Sequence, residues 1–257
     1  MIRTSISALG ISLLALVLTV SAPQAGLGAQ EARDFLFGTP HVTLSVNLGY
    51  GLATAGSDLF QEIDTIFTLG KNDFHAPVVS GSLSIFLTER VDLSVAVGYQ
   101  SSETWSEYRD FVEELASGDS IPIEQKTTLT RVPLSASVRY FLMDRGRGIS
   151  RFAWVPNRWA PFLGAGGGRI YYRFEQAGDF VDFVDYSIAG DKIGSYGWAW
   201  TGHVLAGVQF SVSPNLVLTG EGRYLWADAD LDKNIYRGYE PIDLSGFQVT
   251  MGIGVRF

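Results

Sequence analysis

The stretch 246-GFQVTMGIGVRF-257 decides the fold. Phe247, Val249, Met251, Ile253, Val255 and Phe257 recur at every second position, with Gln248, Thr250 and Arg256 between them. A helix buries residues at spacings of three and four, whereas strict alternation describes a strand with one apolar and one polar face. The same pattern recurs seven times upstream. It predicts strands at about 41–52, 78–87, 91–101, 127–142, 161–175, 197–212 and 216–227, with the last at 245–257.

The faces follow from the alternation. On the first strand Val42, Leu44, Val46, Leu48 and Tyr50 oppose Thr43, Ser45, Asn47 and Gly49. On the fourth, Val132, Leu134, Ala136, Val138 and Tyr140 oppose Arg131, Ser135, Ser137 and Arg139. On the fifth, Phe162, Ile170, Tyr172 and Phe174 are expected on the apolar face and Arg169, Tyr171 and Arg173 on the polar one. The glycine run Gly164–Gly168 lies between them. On the sixth, Trp198, Trp200, Val204, Ala206, Val208 and Phe210 oppose Thr201, His203 and Gln209.

A soluble sandwich also alternates, so the choice rests on three further features. Connections alternate between short (88–90, 213–215) and long (53–77, 102–126, 176–196, 228–244), as in membrane barrels with short inner turns and long outer loops. The link 143–160 is the exception, long on the short side. Aromatic residues gather at two depths. Tyr50, Tyr99, Tyr172, Phe174, Trp198, Trp200, Tyr224, Trp226 and Phe247 lie at one end, and Tyr140, Phe162, Phe210 and Phe257 at the other. Phe162 and Phe174 are twelve residues apart, as are Trp198 and Phe210. That is about 30 Å along a tilted strand, close to the height of an apolar band. Finally, the faces opposite the aliphatics are small and polar, which suits a narrow bore. The expectation is an all-β chain: an eight-stranded antiparallel up-and-down transmembrane β-barrel with long extracellular loops. Two of those loops carry helical spacing. Leu59, Phe60, Ile63, Ile66 and Phe67 recur helically in the first. In the second, Thr104 and Glu107 resemble a capping box ahead of Trp105, Tyr108, Phe111, Val112 and Leu115.

The other end of the chain reads as an export signal over 1–29. Arg3 precedes an apolar run, Ile11–Val20, too short to span a bilayer, and Ala22, Ala25 and Ala29 offer small residues for cleavage, expected after Ala29. Residues 30–40 would follow as a periplasmic segment and 41–257 as the barrel, with no further domain expected. The chain has no cysteine, which excludes disulfides, thiolate metal sites and acylation at cysteine. A net charge of −8 argues against a nucleic-acid partner.

The tail, together with RVPLSASVRYFL (131–142), APFLGAGGGRIYYRF (160–174) and LTGEGRYLW (218–226), resembles the small outer-membrane barrels that include the OmpA-like membrane domain, OmpW-like proteins and opacity-type proteins. The resemblance covers about 41–257. It implies an outer-membrane location in a Gram-negative envelope and contact with lipid and lipopolysaccharide. It also implies a final strand, with Met251, Ile253, Val255 and Phe257 on one face, read by the barrel assembly machinery. That family includes adhesins, structural anchors and narrow channels, so it does not assign a function.

Candidate chemistry is sparse. Asp92, Arg131, Arg139, Arg169, Arg173, Glu221 and Arg223 fall on the polar parity and are expected to form a charge network in the lumen, as an ion-paired filling or as the lining of an anion-preferring pore. The tight turn at 213–215 sets a register with Gln209 opposite Thr219 and Gly207 opposite Glu221. It predicts that Glu221 meets Arg139, Arg169 or Arg223. His203, with Thr201 nearby, reads as a lumen hydrogen-bonder, since no Ser–His spacing suggests a hydrolase. The run Asp228, Asp230, Asp232 starts like a calcium loop but has Lys233 and Tyr239 where that loop needs Gly and Glu, so no metal is expected. Arg145, Arg147, Arg151 and Arg158, with Trp154 and Trp159, are expected to rest on inner-leaflet headgroups. No cofactor is implied. The expected function is non-enzymatic, through the outer loops, by surface interaction or envelope support. A narrow channel for small apolar or ionic solutes is the alternative, and a lipid-modifying enzyme the less favoured third.

Overall fold

A computed structural model describes residues 35–114, 118–150, 153–181 and 187–257. The expected export signal, Leu115 and Arg151 lie outside the described residues. Eight strands form the ring: β1 (Val42–Ala53), β2 (Ala76–Phe86), β3 (Val91–Glu114), β4 (Ser120–Phe141), β7 (Trp159–Val181), β8 (Ile188–Ser211), β9 (Leu216–Trp226) and β12 (Gly246–Arg256). Each pairs antiparallel with its neighbours, and β1 pairs with β12, so the barrel is closed. The seam runs Leu44 opposite Val255 and Leu48 opposite Met251. It is completed by His41 N–H donating to the Phe257 carbonyl at 2.7 Å and Phe257 N–H to that of Val42 at 2.9 Å. Closure leaves the wall with no free edge, which a hydrocarbon environment requires. Two small hairpins complete the strands: β5 (Gly146–Ser150) with β6 (Ala153–Pro156), and β10 (Asp228–Ala229) with β11 (Ile242–Asp243).

The packing is inverted relative to a soluble protein. Thr43, Ser45, Ser84 and Ser94 are buried, while Leu48, Trp198, Met251 and Ile253 are exposed on the wall. On β8 the outward aromatics Trp200 and Phe210 are ten residues apart, about 25 Å along an axis tilted near 40°. An apolar belt of that height around a closed barrel is a lipid-facing surface.

The fifth barrel strand, β7, reverses the sequence expectation. Phe162, Ile170, Tyr172 and Phe174 are buried and point inward, and Arg169 and Arg173 point outward, where they are exposed. Pairing fixes this: Arg139 faces Gly164, Ser137 faces Gly166 and Arg131 faces Tyr172, so all six share the inner face. The glycines hold the middle of that face, and the aromatics at either end fill the two mouths of the barrel. Phe162, Tyr172 and Phe174 therefore leave the girdles, whereas Tyr50, Tyr99, Tyr140, Trp198, Trp200, Trp226, Phe247 and Phe257 stay exposed on the wall.

The second loop is also corrected. No helix forms over 104–114; β3 continues through it, paired with β4 from Trp105–Lys126 to Glu107–Glu124. Between Glu107 and Val112 the register slips, with four residues on β3 (108–111) against one on β4, Ile123. The bulge lets Tyr108 and Phe111 approach to 6.1 Å between ring centroids, so their spacing of three arises from extra strand residues rather than a helical turn. In the first loop a helix does form, α1 (Asp58–Ile66), with Leu59, Phe60 and Ile63 buried.

Candidate functional site

The lumen is the candidate site, and it is filled at three levels. At the inner mouth Asp92, with no exposed surface, receives two guanidinium groups. Arg139 grips it bidentately, Nε to Oδ1 at 2.8 Å and Nη2 to Oδ2 at 2.9 Å, and also donates to Ser84 Oγ at 2.6 Å. Arg145 Nη1 lies 3.2 Å from Oδ2 and its Nη2 donates to the Thr88 carbonyl at 2.6 Å. The Arg145 guanidinium carbon sits 3.4 Å from the centroid of Phe86 and 4.5 Å from that of Phe141. Burial pushes Arg145 down to about 10, with Asp92 opposing the shift, so it stays cationic at neutral pH.

The long inner link supplies this closure. Arg145 and Trp154 are each only 1% exposed, tucked into the mouth instead of resting on headgroups. Leu36 exchanges backbone hydrogen bonds with Trp154 at 2.8 and 3.0 Å, and Arg256 lies over the Trp154 ring at 5.7 Å. A hairpin that brings an indole and a guanidinium to a carboxylate already in the wall is drawn inward by ionic and apolar contacts at once. Arg147, Arg158 and Trp159 stay exposed.

The middle level is polar. Asn47, Ser80, Ser82, Ser135, Thr219 and Gln248 surround a cavity with about 40 Å³ open to water centres, room for about three waters. Glu221 accepts from Arg223 Nη2 at 2.9 Å and Nε at 3.2 Å, and Arg223 Nη1 reaches Ser135 Oγ at 3.4 Å. Glu221 lies opposite Gly207, as the short turn requires. We expect Glu221→Ala to lower stability by about 1–3 kcal/mol, less than a fully buried pair because the cavity water reaches it. The urea midpoint of the folded barrel would fall, and no conductance would appear, since both mouths stay closed. An unchanged midpoint would mean that Arg223 finds another partner.

One contact here escaped sequence reading. Ser137 Oγ and His203 Nε2 lie 2.7 Å apart, though 66 residues separate them in the chain. Gly166 sits between them, paired to Ser137 on one side and His203 on the other, and its missing side chain lets the imidazole reach across. A serine beside an imidazole is the start of a nucleophile–base arrangement. Here both are buried, His203 Nδ1 has no partner among the described residues, and neither lines the cavity.

The outer mouth is apolar. Phe60 of α1 packs edge-to-face on Phe74 (4.7 Å) and Phe174 (6.2 Å), and Phe174 on Tyr236 (6.0 Å). Ile242 and Leu244, both fully buried, join the same cluster. The last loop is tied to the first: Gly56 N–H donates to Asp243 Oδ2 at 2.8 Å and Glu240 N–H to Asp58 Oδ2 at 3.0 Å. Burial, then a hydrogen bond to Glu62, pushes the Tyr239 phenol above its ordinary range. Below this cap Arg131 Nη1 donates to the Leu244 carbonyl at 3.0 Å. In the acidic loop Asp232 Oδ1 accepts from its own turn at Asn234 N–H, and the Asp230 carbonyl accepts from the Tyr172 hydroxyl.

Of the charges expected in the lumen, Asp92, Arg131, Arg139, Glu221 and Arg223 point inward, and Arg169 and Arg173 do not. Arg145 and Arg256 join them. Arg256 carried the right parity, while Arg145 precedes a hairpin whose path no periodicity announces.

No protein-family model matches the chain, and no curated protein matches it. Among solved structures, OprG from Pseudomonas aeruginosa, an outer membrane protein, is 9% identical over 86% of this chain and 98% of its own, with a TM-score of 0.46. Neisserial surface protein A is 14% identical over 89% and 100%, at 0.44. Ail, the attachment invasion locus protein of Yersinia pestis, is 15% identical over 85% and 100%, also at 0.44. At these scores function has to be read from this chain's own residues.

Proposed function

We propose that this chain is an integral outer-membrane β-barrel of the small eight-stranded kind that works as a closed, non-enzymatic body. It acts through the surface it presents outside the membrane, by surface interaction or envelope support. The observation that carries this reading is the double closure of the lumen. The Asp92–Arg139–Arg145 cluster and Trp154 fill one mouth, and the apolar cap of α1 and the last loop fills the other. An eight-stranded ring leaves room for little beyond side chains, and the middle cavity has the size of a few waters. Outside the belt, β3, β4, β7 and β8 continue as two long hairpins, offering a stiff platform to a partner.

A channel would need both fillings to move. The refolded chain in planar bilayers is therefore expected to give no sustained single-channel steps. Stable openings in the wild-type protein would favour the narrow-channel reading. The same proposal takes the outward residues Met251, Ile253, Val255 and Phe257 as the face that the barrel assembly machinery reads.

A further inference from the structure

We propose that Arg169 and Arg173, on the outside of the barrel, form a binding site for the phosphate groups of an outer-leaflet lipid headgroup; this rests on the membrane reading above. Both project from β7 onto the wall. Arg169 stands opposite Trp200 and Arg173 opposite Tyr196. The Arg169 guanidinium lies 5.6 Å from the Trp198 ring centroid and 5.4 Å from that of Trp200. Stacking on ring faces satisfies charge but uses no N–H, so the donor fork is left for an acceptor from outside. Arg173 lies beside the Tyr171 hydroxyl and near Glu175. Among the described residues neither arginine has a carboxylate within 4.0 Å. The neighbouring cations are committed elsewhere, Lys192 to Glu175 at 3.0 Å and Lys126 to Glu103 at 2.7 Å.

Depth selects the ligand. Trp200, 77% exposed, belongs with Trp198 to the outer aromatic girdle. Arg169 is level with it, and Arg173 is four residues farther out, about 10 Å along the axis. That interval is the headgroup layer, where aromatic side chains collect and phosphates lie. With no ion-pair partner on the wall within 4.0 Å among the described residues, the two cations at this depth face the lipid phosphates. The two guanidinium groups can converge on one phosphate or span a headgroup that carries two, and a planar fork matches phosphate oxygens better than an ammonium does.

The test uses the full-length chain refolded into phosphatidylcholine vesicles doped with diphosphoryl lipid A, followed by mild extraction and measurement of retained lipid A. Arg169→Gln/Arg173→Gln is expected to weaken retention about thirtyfold, two headgroup-level cations together worth about 2 kcal/mol. Removing the phosphates from the lipid should weaken the wild type by as much. Arg169→Lys/Arg173→Lys should fall between, keeping charge without the fork. Excess inorganic phosphate should displace little. Retention equal in wild type and the Gln variant, or equal for phosphorylated and dephosphorylated lipid, would overturn the site, as would full displacement by inorganic phosphate. If the Gln variant does not fold, the dephosphorylated lipid on the wild type still decides. Failure of the wild-type chain to insert at all would instead overturn the membrane reading, and the site with it.

Discussion

Replacing Asp92 with alanine is expected to destabilise the folded barrel by about 3–5 kcal/mol, the usual cost of breaking a fully buried ionic cluster from one side. The size follows from what is left behind. Asp92 is fully buried and is the carboxylate shared by Arg139 and Arg145. Its loss strands two guanidinium groups in a mouth also packed with Phe86, Phe141 and Phe162. Burial already disfavours the Arg145 cation, and Asp92 is the largest influence opposing that shift, so its removal leaves the charge with less compensation. Carbonyls at Thr88 and Glu89 hold part of its hydrogen bonding but none of its charge. Asp92→Asn should recover some of the loss by keeping an acceptor. Urea titration of the folded, heat-modifiable species measures all three proteins. An Asp92→Ala midpoint no lower than that of Glu221→Ala would show that the inner cluster is not the tighter of the two.

Gly166→Val is expected to cost about 3 kcal/mol or more, at the upper end of overpacking effects, and to deplete the folded fraction. A Cβ at Gly166 would land on the carbonyl oxygen of Ala136 and within 2.7 Å of Ser137 Cα. Both are backbone atoms of β4, which cannot swing aside as a flexible side chain can. The substitution would also fill the gap through which His203 reaches Ser137. The matched control is Gly202→Ala on the lipid face of β8, where an added Cβ meets nothing within 4 Å. It should change stability by less than about 0.5 kcal/mol. Equal folded yields for the two variants would refute the close approach of β4 and β7.

Much of this was legible in the chain. Alternation fixed the wall because side-chain direction in a strand reverses at each residue, whatever the rest of the molecule does. That rule gave eight barrel strands, and on β4 and β8 it gave both faces correctly. It also gave the Gly207–Glu221 register, because a tight turn leaves the pairing no freedom.

The misreadings have two causes. In β7 the residues Gly164, Gly166 and Gly168 carry no side chain to declare a face, so polarity at the ends had to decide. Polarity misled there, because Phe162, Tyr172 and Phe174 fill the mouths while Arg169 and Arg173 reach the headgroup layer. In β3 the bulge after Glu107 imitated helical spacing, and only pairing with β4 distinguishes the two. The sequence by itself determined a closed, lipid-facing wall with a narrow polar bore, since that depends on local alternation. The tertiary structure alone decided what fills the bore: Arg145 and Trp154 folded back into one mouth, α1 and the last loop packed into the other, and His203 set against Ser137. Those contacts join residues far apart in the chain, and their energies exist only once the ring has closed around them.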